Sequence, residues 1–170
     1  MLAARNWITV GSARLPRHPV ARGLSLSLVS VLLASIAGGL LFLTFPEDVL
    51  GGAAAQELIG KPGWYIFLSA VVLAPLFETI VGQLLPIELA RRVGASDRMC
   101  IFISATLFGL GHFYSGGIAS AVATFIGGGV FAYAYVSVRE RGVGASYMAA
   151  VSAHAGHNAL LLHVVVPLFS

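Results

Sequence analysis

Charged residues and cysteine are both scarce in this sequence. Only 10% of its 170 residues are charged, whereas 58% are hydrophobic. Soluble domains carry about a quarter charged residues, and disordered chains combine low hydrophobicity with dense charge, so both classes are excluded. The single cysteine, Cys100, cannot form an internal disulfide and leaves no thiolate cage for zinc. Any metal site would therefore have to use histidine and carboxylate ligands.

The small basic excess does not indicate a nucleic-acid-binding protein. The net charge is +3, but the ten Lys and Arg residues neither cluster nor alternate with aromatic residues to form a phosphate-binding surface. The mean hydropathy of +0.89 points to a membrane instead. We therefore expect a lipid bilayer as a partner and no nucleic acid.

Apolar segments of the chain are long enough to cross a bilayer as helices. A hydrocarbon core of about 30 Å needs about 20 apolar residues in a helix, and five segments approach or reach that length. They predict an all-α, polytopic membrane helix bundle with about five transmembrane helices. The third is short, and Ser115-Gly116-Gly117 predicts a tight turn between it and the fourth. The predicted spans are residues 24–45, 64–90, 99–114, 117–138 and 146–169.

The distribution of Lys and Arg predicts the orientation, because cytoplasmic segments retain positive charge. Nine arginines fall on one side of the predicted spans and only Lys61 on the other, so the N-terminus is expected in the cytoplasm and the C-terminus outside. This predicts a cytoplasmic basic arm (1–23), a first transmembrane helix (24–45), an external loop (46–63) and a catalytic helix bundle (64–170). Ala53-Ala54-Ala55 resembles a signal-peptide cleavage site, but the preceding apolar run is too long for a signal peptide.

Polar side chains within the spans need a reason, because an ionisable group at the bilayer centre costs at least ~2.5–3.5 kcal/mol. Glu78 lies too deep to reach the interface, and Pro75 before it is expected to kink the helix. Glu88 lies near the cytoplasmic end and is expected to reach Arg91 or Arg92. The polar residues in the spans are Glu78, Gln83, His112, His154, His157 and Asn158, with His163 nearer the outer end.

These polar residues are expected to meet in one cavity. His154 and Asn158 are spaced i, i+4 and share one face of the last helix, whereas His157 is displaced around it and can border the site or face elsewhere. Taken alone, His112 fits an interface hydrogen bond as well as it fits catalysis. Glu78, His112 and the His154/Asn158 pair lie at similar depths, roughly 12 to 21 Å from the cytoplasmic end at 1.5 Å per residue.

Such a cluster supports hydrolysis of an amide. Glu78 with His112 can take a proton from water, and His154 and Asn158 can donate hydrogen bonds to the oxyanion that forms when this water attacks a carbonyl. The same carboxylate and imidazoles can instead hold a divalent metal such as Zn²⁺. The side chains required are the same in both cases, so the sequence leaves both open.

Three motifs on successive helices carry a family resemblance: Glu78-Thr79-x-x-x-Gln83, Phe108-x-x-x-His112 and His154-x-x-x-Asn158. They resemble the Glu-Glu-x-x-x-Arg, Phe-x-x-x-His and His-x-x-x-Asn/Asp motifs of the CPBP intramembrane proteases (Abi domain). That family includes Rce1-like CAAX prenyl proteases and bacteriocin-processing or immunity proteins. The resemblance covers about residues 66–166.

The resemblance implies an endopeptidase that cleaves a membrane-associated protein or peptide, and the expected location is a bacterial cytoplasmic membrane. It implies that Glu78 and His112 activate water, while His154 and Asn158 stabilise the oxyanion or help to bind a metal. Thr79, Gln83, Phe108 and His157 are the expected supporting residues.

Two positions depart from the family pattern. Thr79 replaces the second Glu and Gln83 replaces the Arg, so the ion pair that would support Glu78 is absent. An inactive relative that serves as a membrane scaffold or immunity protein is therefore the alternative hypothesis. A transporter or proton relay would also place Glu and His in its spans, but the sequence shows no internal repeat of the kind used for alternating access.

Overall fold

The computed structural model describes residues 18–51, 58 and 60–165, and this part of the chain is helical with no strand. The all-α class predicted from the sequence is therefore confirmed. A 3₁₀ turn, Arg139–Arg141, precedes the last helix, and a π-helical stretch, Leu161–Val165, follows it. The helices are α1 (Pro19–Thr44), α2 (Glu47–Leu50), α3 (Gly63–Arg92), α4 (Asp97–Val136) and α5 (Val143–Leu160).

Three of these helices, α1, α3 and α4, are long and apolar enough to cross a membrane. The last predicted span contains α5, which is shorter at 18 residues and includes the polar residues His154, His157 and Asn158. The Ala53-Ala54-Ala55 motif, the arginines at positions 5, 14 and 17, and residues 166–169 of the last predicted span lie outside the described residues.

Helix α4 consists of two arms, residues 97–116 and 118–136, joined at Gly117. Gly117 has φ 69° and ψ −158°, a conformation that glycine adopts readily because it has no Cβ. The arms then pack closely, since a Cβ added to Gly109 would lie 2.8 Å from the carbonyl oxygen of Ala121. The predicted third and fourth spans are thus the two arms of a hairpin, with the turn inside the predicted Ser115-Gly116-Gly117 segment.

Helix α1 packs against α5 and α4 through small residues. A Cβ on Gly23 would collide with the carbonyl oxygen of Ala149, and a Cβ on Gly156 would lie 2.7 Å from Ser27 Oγ. Small residues of this kind let membrane helices approach closely. The helix begins at Pro19, earlier than predicted, because proline is well suited to the first turn.

Glu88 is held by a different partner from the predicted Arg91 and Arg92. Its carboxylate accepts two hydrogen bonds from Arg139, one of them 2.8 Å from Nη2 to Oε2, while Arg91 pairs with Asp97. The prediction was wrong because α3 packs beside the second arm of α4. This packing places the guanidinium of Arg139, which follows α4, against the Glu88 carboxylate in a bidentate geometry. The hydrogen bond from Arg139 to Glu88 raises the pKa of Arg139 above its ordinary value.

Candidate active site

The backbone of α3 changes its hydrogen-bonding pattern on both sides of Glu78. An α-helical stretch, Ala74–Thr79, is flanked by two π-helical stretches, Phe67–Leu73 and Ile80–Leu84. The π pattern adds a residue to the turn and recurs at functional sites. It also changes which face of α3 turns inward, so that Thr79 and Gln83 are fully buried and Glu78 lies beside them at the edge of the buried face.

Asn158 compensates for Pro75, which cannot donate a backbone hydrogen bond. In the π pattern, the carbonyl of Ala70 would accept from residue 75, which is a proline. The Asn158 side chain supplies the missing donor, with Nδ2 2.8 Å from this carbonyl oxygen. Asn158 therefore joins α5 to α3 one turn before the site.

Ser104 plays a similar role beside Pro86. Gly82 lies four residues before Pro86, so its carbonyl cannot receive the ordinary α-helical bond from that position. The Ser104 hydroxyl, fully buried on α4, donates to this carbonyl at 2.7 Å. Both prolines of α3 are thus matched by a side chain from another helix.

Three helices bring a carboxylate and two imidazoles together. Glu78 Oε2 on α3 lies 3.6 Å from His112 Nε2 on α4 and 3.7 Å from His154 Nε2 on α5. Both separations exceed the ~3.2 Å limit of a good N–H···O bond. The side chain of Glu78 is 39% exposed, whereas that of His154 is only 4% exposed, so the cluster is open at the carboxylate and closed behind His154.

The ring of His112 is oriented by its own helix. Its Nδ1 lies 2.9 Å from the carbonyl oxygen of Phe108, and a carbonyl only accepts, so Nδ1 carries the hydrogen. In the neutral ring Nε2 is then an acceptor, and it faces Glu78. The Phe-x-x-x-His spacing therefore selects the tautomer that presents a lone pair to the carboxylate.

The ring of His154 is held by a hydroxyl and two aromatic rings. Thr79 Oγ1 lies 3.5 Å from Nδ1, at the outer limit of a hydrogen bond. Phe131 stacks on the imidazole at 4.6 Å, and Phe108 meets it edge-on at 5.4 Å. When Thr79 donates to Nδ1, the hydrogen of the neutral ring is on Nε2 and faces the site.

Phe108 is clamped between two glycines. A Cβ on Gly82 would lie 2.5 Å from the Phe108 ring, and one on Gly128 would lie 2.9 Å from it. The ring also contacts that of His112 at 4.7 Å. Its position requires the absence of a side chain on α3 and on the second arm of α4, so Phe108 packs simultaneously against both histidines of the site.

His157 faces α1 rather than Glu78. Its Nδ1 lies 2.8 Å from Ser30 Oγ on α1, and its ring meets the edge of Phe131 at 5.6 Å. Phe131 also stacks on the ring of His154. His157 and Ser30 therefore contact the site indirectly, through Phe131. The sequence left the direction of His157 open, and the packing of α1 decides it.

Gln83 and His163 lie apart from the cluster. Gln83 is fully buried, and neither of its amide atoms has a hydrogen-bond partner among the described residues. The ring of His163 lies 6.4 Å from that of Phe67. Of the eight site residues expected from the sequence, the cluster gathers Glu78, Thr79, Phe108, His112 and His154.

The metal alternative would use the same three side chains, Glu78, His112 and His154. Within residues 18–51, 58 and 60–165, no group of three or more His, Cys, Asp or Glu side chains is arranged to hold a metal ion. This result favours water activated directly by Glu78 and His112, and it adds no support to the metal alternative.

Sequence reasoning missed three residues that shape the site: Ser30, Ser104 and Phe131. Ser30 and Ser104 are polar residues within apolar runs, a pattern that signals a hydrogen bond between membrane helices. Phe131 follows three consecutive glycines, 127–129, which mark a close helix approach. These signals are present in the sequence, but none of them identifies which residue of another helix each side chain contacts.

One family model matches the chain, described as type II CAAX prenyl endopeptidase Rce1-like, over residues 60–160. This range contains the three motifs and the whole cluster around Glu78, and it excludes α1. No curated protein and no solved structure shows a significant match to the chain.

Proposed function

Because the chain belongs to the Rce1-like family of type II CAAX prenyl endopeptidases, whose model matches more than half of it, we propose that it hydrolyses a peptide bond in a membrane-associated protein or peptide. At the level of the family, it is a CAAX-type intramembrane protease, integral to a membrane. The observation that carries the finer proposal is the convergence of Glu78 with His112 and His154 from three helices.

In this proposal the reactive water binds between Glu78 and His112. The two facing atoms are 3.6 Å apart, so a water oxygen about 2.8 Å from each would lie to one side of the line that joins them. From this position the water can approach a carbonyl carbon of the substrate. Glu78 takes the water proton as the hydroxyl oxygen bonds to that carbon.

His154 stabilises the oxyanion. As the carbon–oxygen double bond of the substrate opens, negative charge collects on the carbonyl oxygen, and the Nε2–H of His154 donates to it. Burial behind Phe108 and Phe131 excludes water from this donor and strengthens the interaction. The intermediate then collapses and the carbon–nitrogen bond breaks. The proton held by Glu78 passes to the departing amine, and the ring of His112 lies beside Glu78 during this transfer.

Asn158 has a more structural role here than the family resemblance implies. One of its two amide hydrogens is committed to the Ala70 carbonyl, so it holds α3 and α5 in register. Its second amide hydrogen remains to assist His154. We therefore assign the principal oxyanion contact to His154.

The test is cleavage of membrane-tethered peptides by the purified protein in vesicles. Glu78→Gln should lower kcat at least 100-fold, because it removes the general base and keeps the shape. Glu140→Gln is the matched control, since Glu140 is exposed at the turn after α4. A chelator should leave the wild-type rate unchanged. Equal cleavage by wild type and a folded Glu78→Gln variant would overturn the proposed mechanism.

The second candidate is a catalytically inactive relative that binds a membrane partner as a scaffold or immunity protein. It is favoured by the departures at Thr79 and Gln83, the latter buried without a partner in the described part of the chain. For this candidate, folded wild type would cleave none of the peptides. It would instead capture a membrane protein equally well with and without Glu78→Gln.

A further inference from the structure

An apolar groove of about 420 Å³ lies on the outer surface of the bundle between α1 and the two arms of α4. Its floor is formed by the buried Leu26 and Ala105, and Phe102 and Phe125 rise beside it as exposed walls. The two wall rings meet edge to face, 6.3 Å apart. None of the residues that line the groove belongs to the Glu78 cluster, which lies where α3, α4 and α5 meet.

The polar side chains that line this groove are confined to one end. They are Arg98, at the second position of α4, and Tyr133, near its last turn. Because the two arms of α4 run antiparallel about Gly117, the beginning and end of α4 lie at the same end of the bundle. The groove therefore has a polar mouth and an apolar body.

The mouth carries an uncompensated positive charge. Among the described residues, Asp97, the acidic neighbour of Arg98, already pairs with Arg91, and no acidic side chain lines the groove. A guanidinium with a phenol beside it at the bilayer interface suits a phosphate group. Basic residues at the cytoplasmic surface also favour anionic lipids over neutral ones.

We propose that the groove binds an anionic phospholipid, with an acyl chain along its apolar body and the phosphate at Arg98 and Tyr133. The apolar lining fits a hydrocarbon chain, and the charge at the mouth distinguishes an anionic from a zwitterionic headgroup. This site is separate from the proposed protease site, and it does not depend on cleavage.

The experiment compares retention of phosphatidylglycerol and phosphatidylcholine with identical acyl chains, measured by native mass spectrometry of the purified full-length chain. Wild type should retain phosphatidylglycerol about fivefold better, the factor expected from one arginine near the surface. Arg98→Gln should abolish this preference. Arg92→Gln, an exposed arginine outside the groove, is the matched control and should retain it.

A second variant tests the apolar body. A Cβ on Gly129 would make only an ordinary contact with Ala105, at 3.7 Å, so Gly129→Leu should direct its side chain into the groove and lower retention of both lipids. Equal retention of the two lipids by wild type would overturn the proposal. So would an equal loss of preference in Arg98→Gln and Arg92→Gln, or full retention in Gly129→Leu. Because the readout is lipid retention, failure here leaves the protease test intact.

Discussion

Thr79 illustrates how a neutral residue serves beside the carboxylate of the candidate site. The family motif has a second Glu at this position, but here the hydroxyl faces Nδ1 of the buried His154 at 3.5 Å. A second carboxylate would bring another charge into a fully buried position, where desolvation is expensive. The neutral residue avoids that cost and still provides a donor for the imidazole.

We expect Thr79→Val to lower kcat about fivefold with little change in KM. Valine keeps the branched shape but loses the hydroxyl, and a hydrogen bond of this kind contributes about 1 kcal/mol. Steady-state cleavage kinetics provide the measurement. Thr106→Val is the control, because the Thr106 hydroxyl donates only to its own helix, to the Phe102 carbonyl at 2.8 Å. Equal losses in the two variants would argue against a specific role for Thr79.

The amide of Gln83 could not be assigned a partner from the sequence motif. Its place in the first motif identified it as a supporting residue, yet it is fully buried and makes no hydrogen bond with the described residues. The motif spacing places Gln83 on the inward face of α3. It does not specify what the facing helices offer to the amide.

At the scale of helices, α1 lies outside the matched family range and still supports the site. Ser30 of α1 hydrogen-bonds to His157, and Phe131 lies between the rings of His157 and His154. This chain of contacts requires α1 to sit close against α5. Glycine at position 23 permits that approach, because a Cβ there would collide with the backbone of α5.

Gly23→Ala should therefore destabilise the protein and lower its cleavage rate. Overpacking a tight interface costs roughly 1–3 kcal/mol, and separation of α1 from α5 would also weaken the contact of Ser30 with His157. Gly39→Ala lies on the same helix with no atom within 4 Å of the added Cβ, so its stability should be unchanged or slightly higher. Thermal unfolding in detergent compares the two variants. Similar melting temperatures would contradict the close packing of α1 on α5.

At the scale of the whole molecule, the bundle is polarised in charge. The described arginines lie at the end of the bundle where α1, α4 and α5 begin. The helix α3 and the second arm of α4 finish at this same end. Lys61 precedes α3 and lies at the other end. Positive charge is retained in the cytoplasm, so the cytoplasmic placement of the N-terminus remains our proposal. The described arginines are Arg22, Arg91, Arg92, Arg98, Arg139 and Arg141.

Cysteine labelling tests this orientation. Cys100 is fully buried and is the only cysteine, so Cys100→Ser provides an unlabelled background for Glu140→Cys and Lys61→Cys. In intact cells, an impermeant maleimide should label the cysteine at position 61 and not that at position 140. Position 140 should react only after the membrane is opened. The opposite pattern would reverse the proposed topology.

Residue order alone specified the helical class, the apolar segments and the turn within Ser115-Gly116-Gly117. Each of these follows from composition, from helical periodicity or from the conformational freedom of glycine. Periodicity determines which residues share a face of one helix, and the spacing of His154 and Asn158 is such a case.

Tertiary packing decided the partners. It paired Glu88 with Arg139, His157 with Ser30, and Asn158 with the Ala70 carbonyl. Each contact joins residues that are distant in the chain, so it depends on which helices are neighbours and on how each is rotated about its axis. Close approaches at glycines and the π-helical stretches of α3 set those rotations. Local periodicity does not contain that information, because it describes one helix at a time.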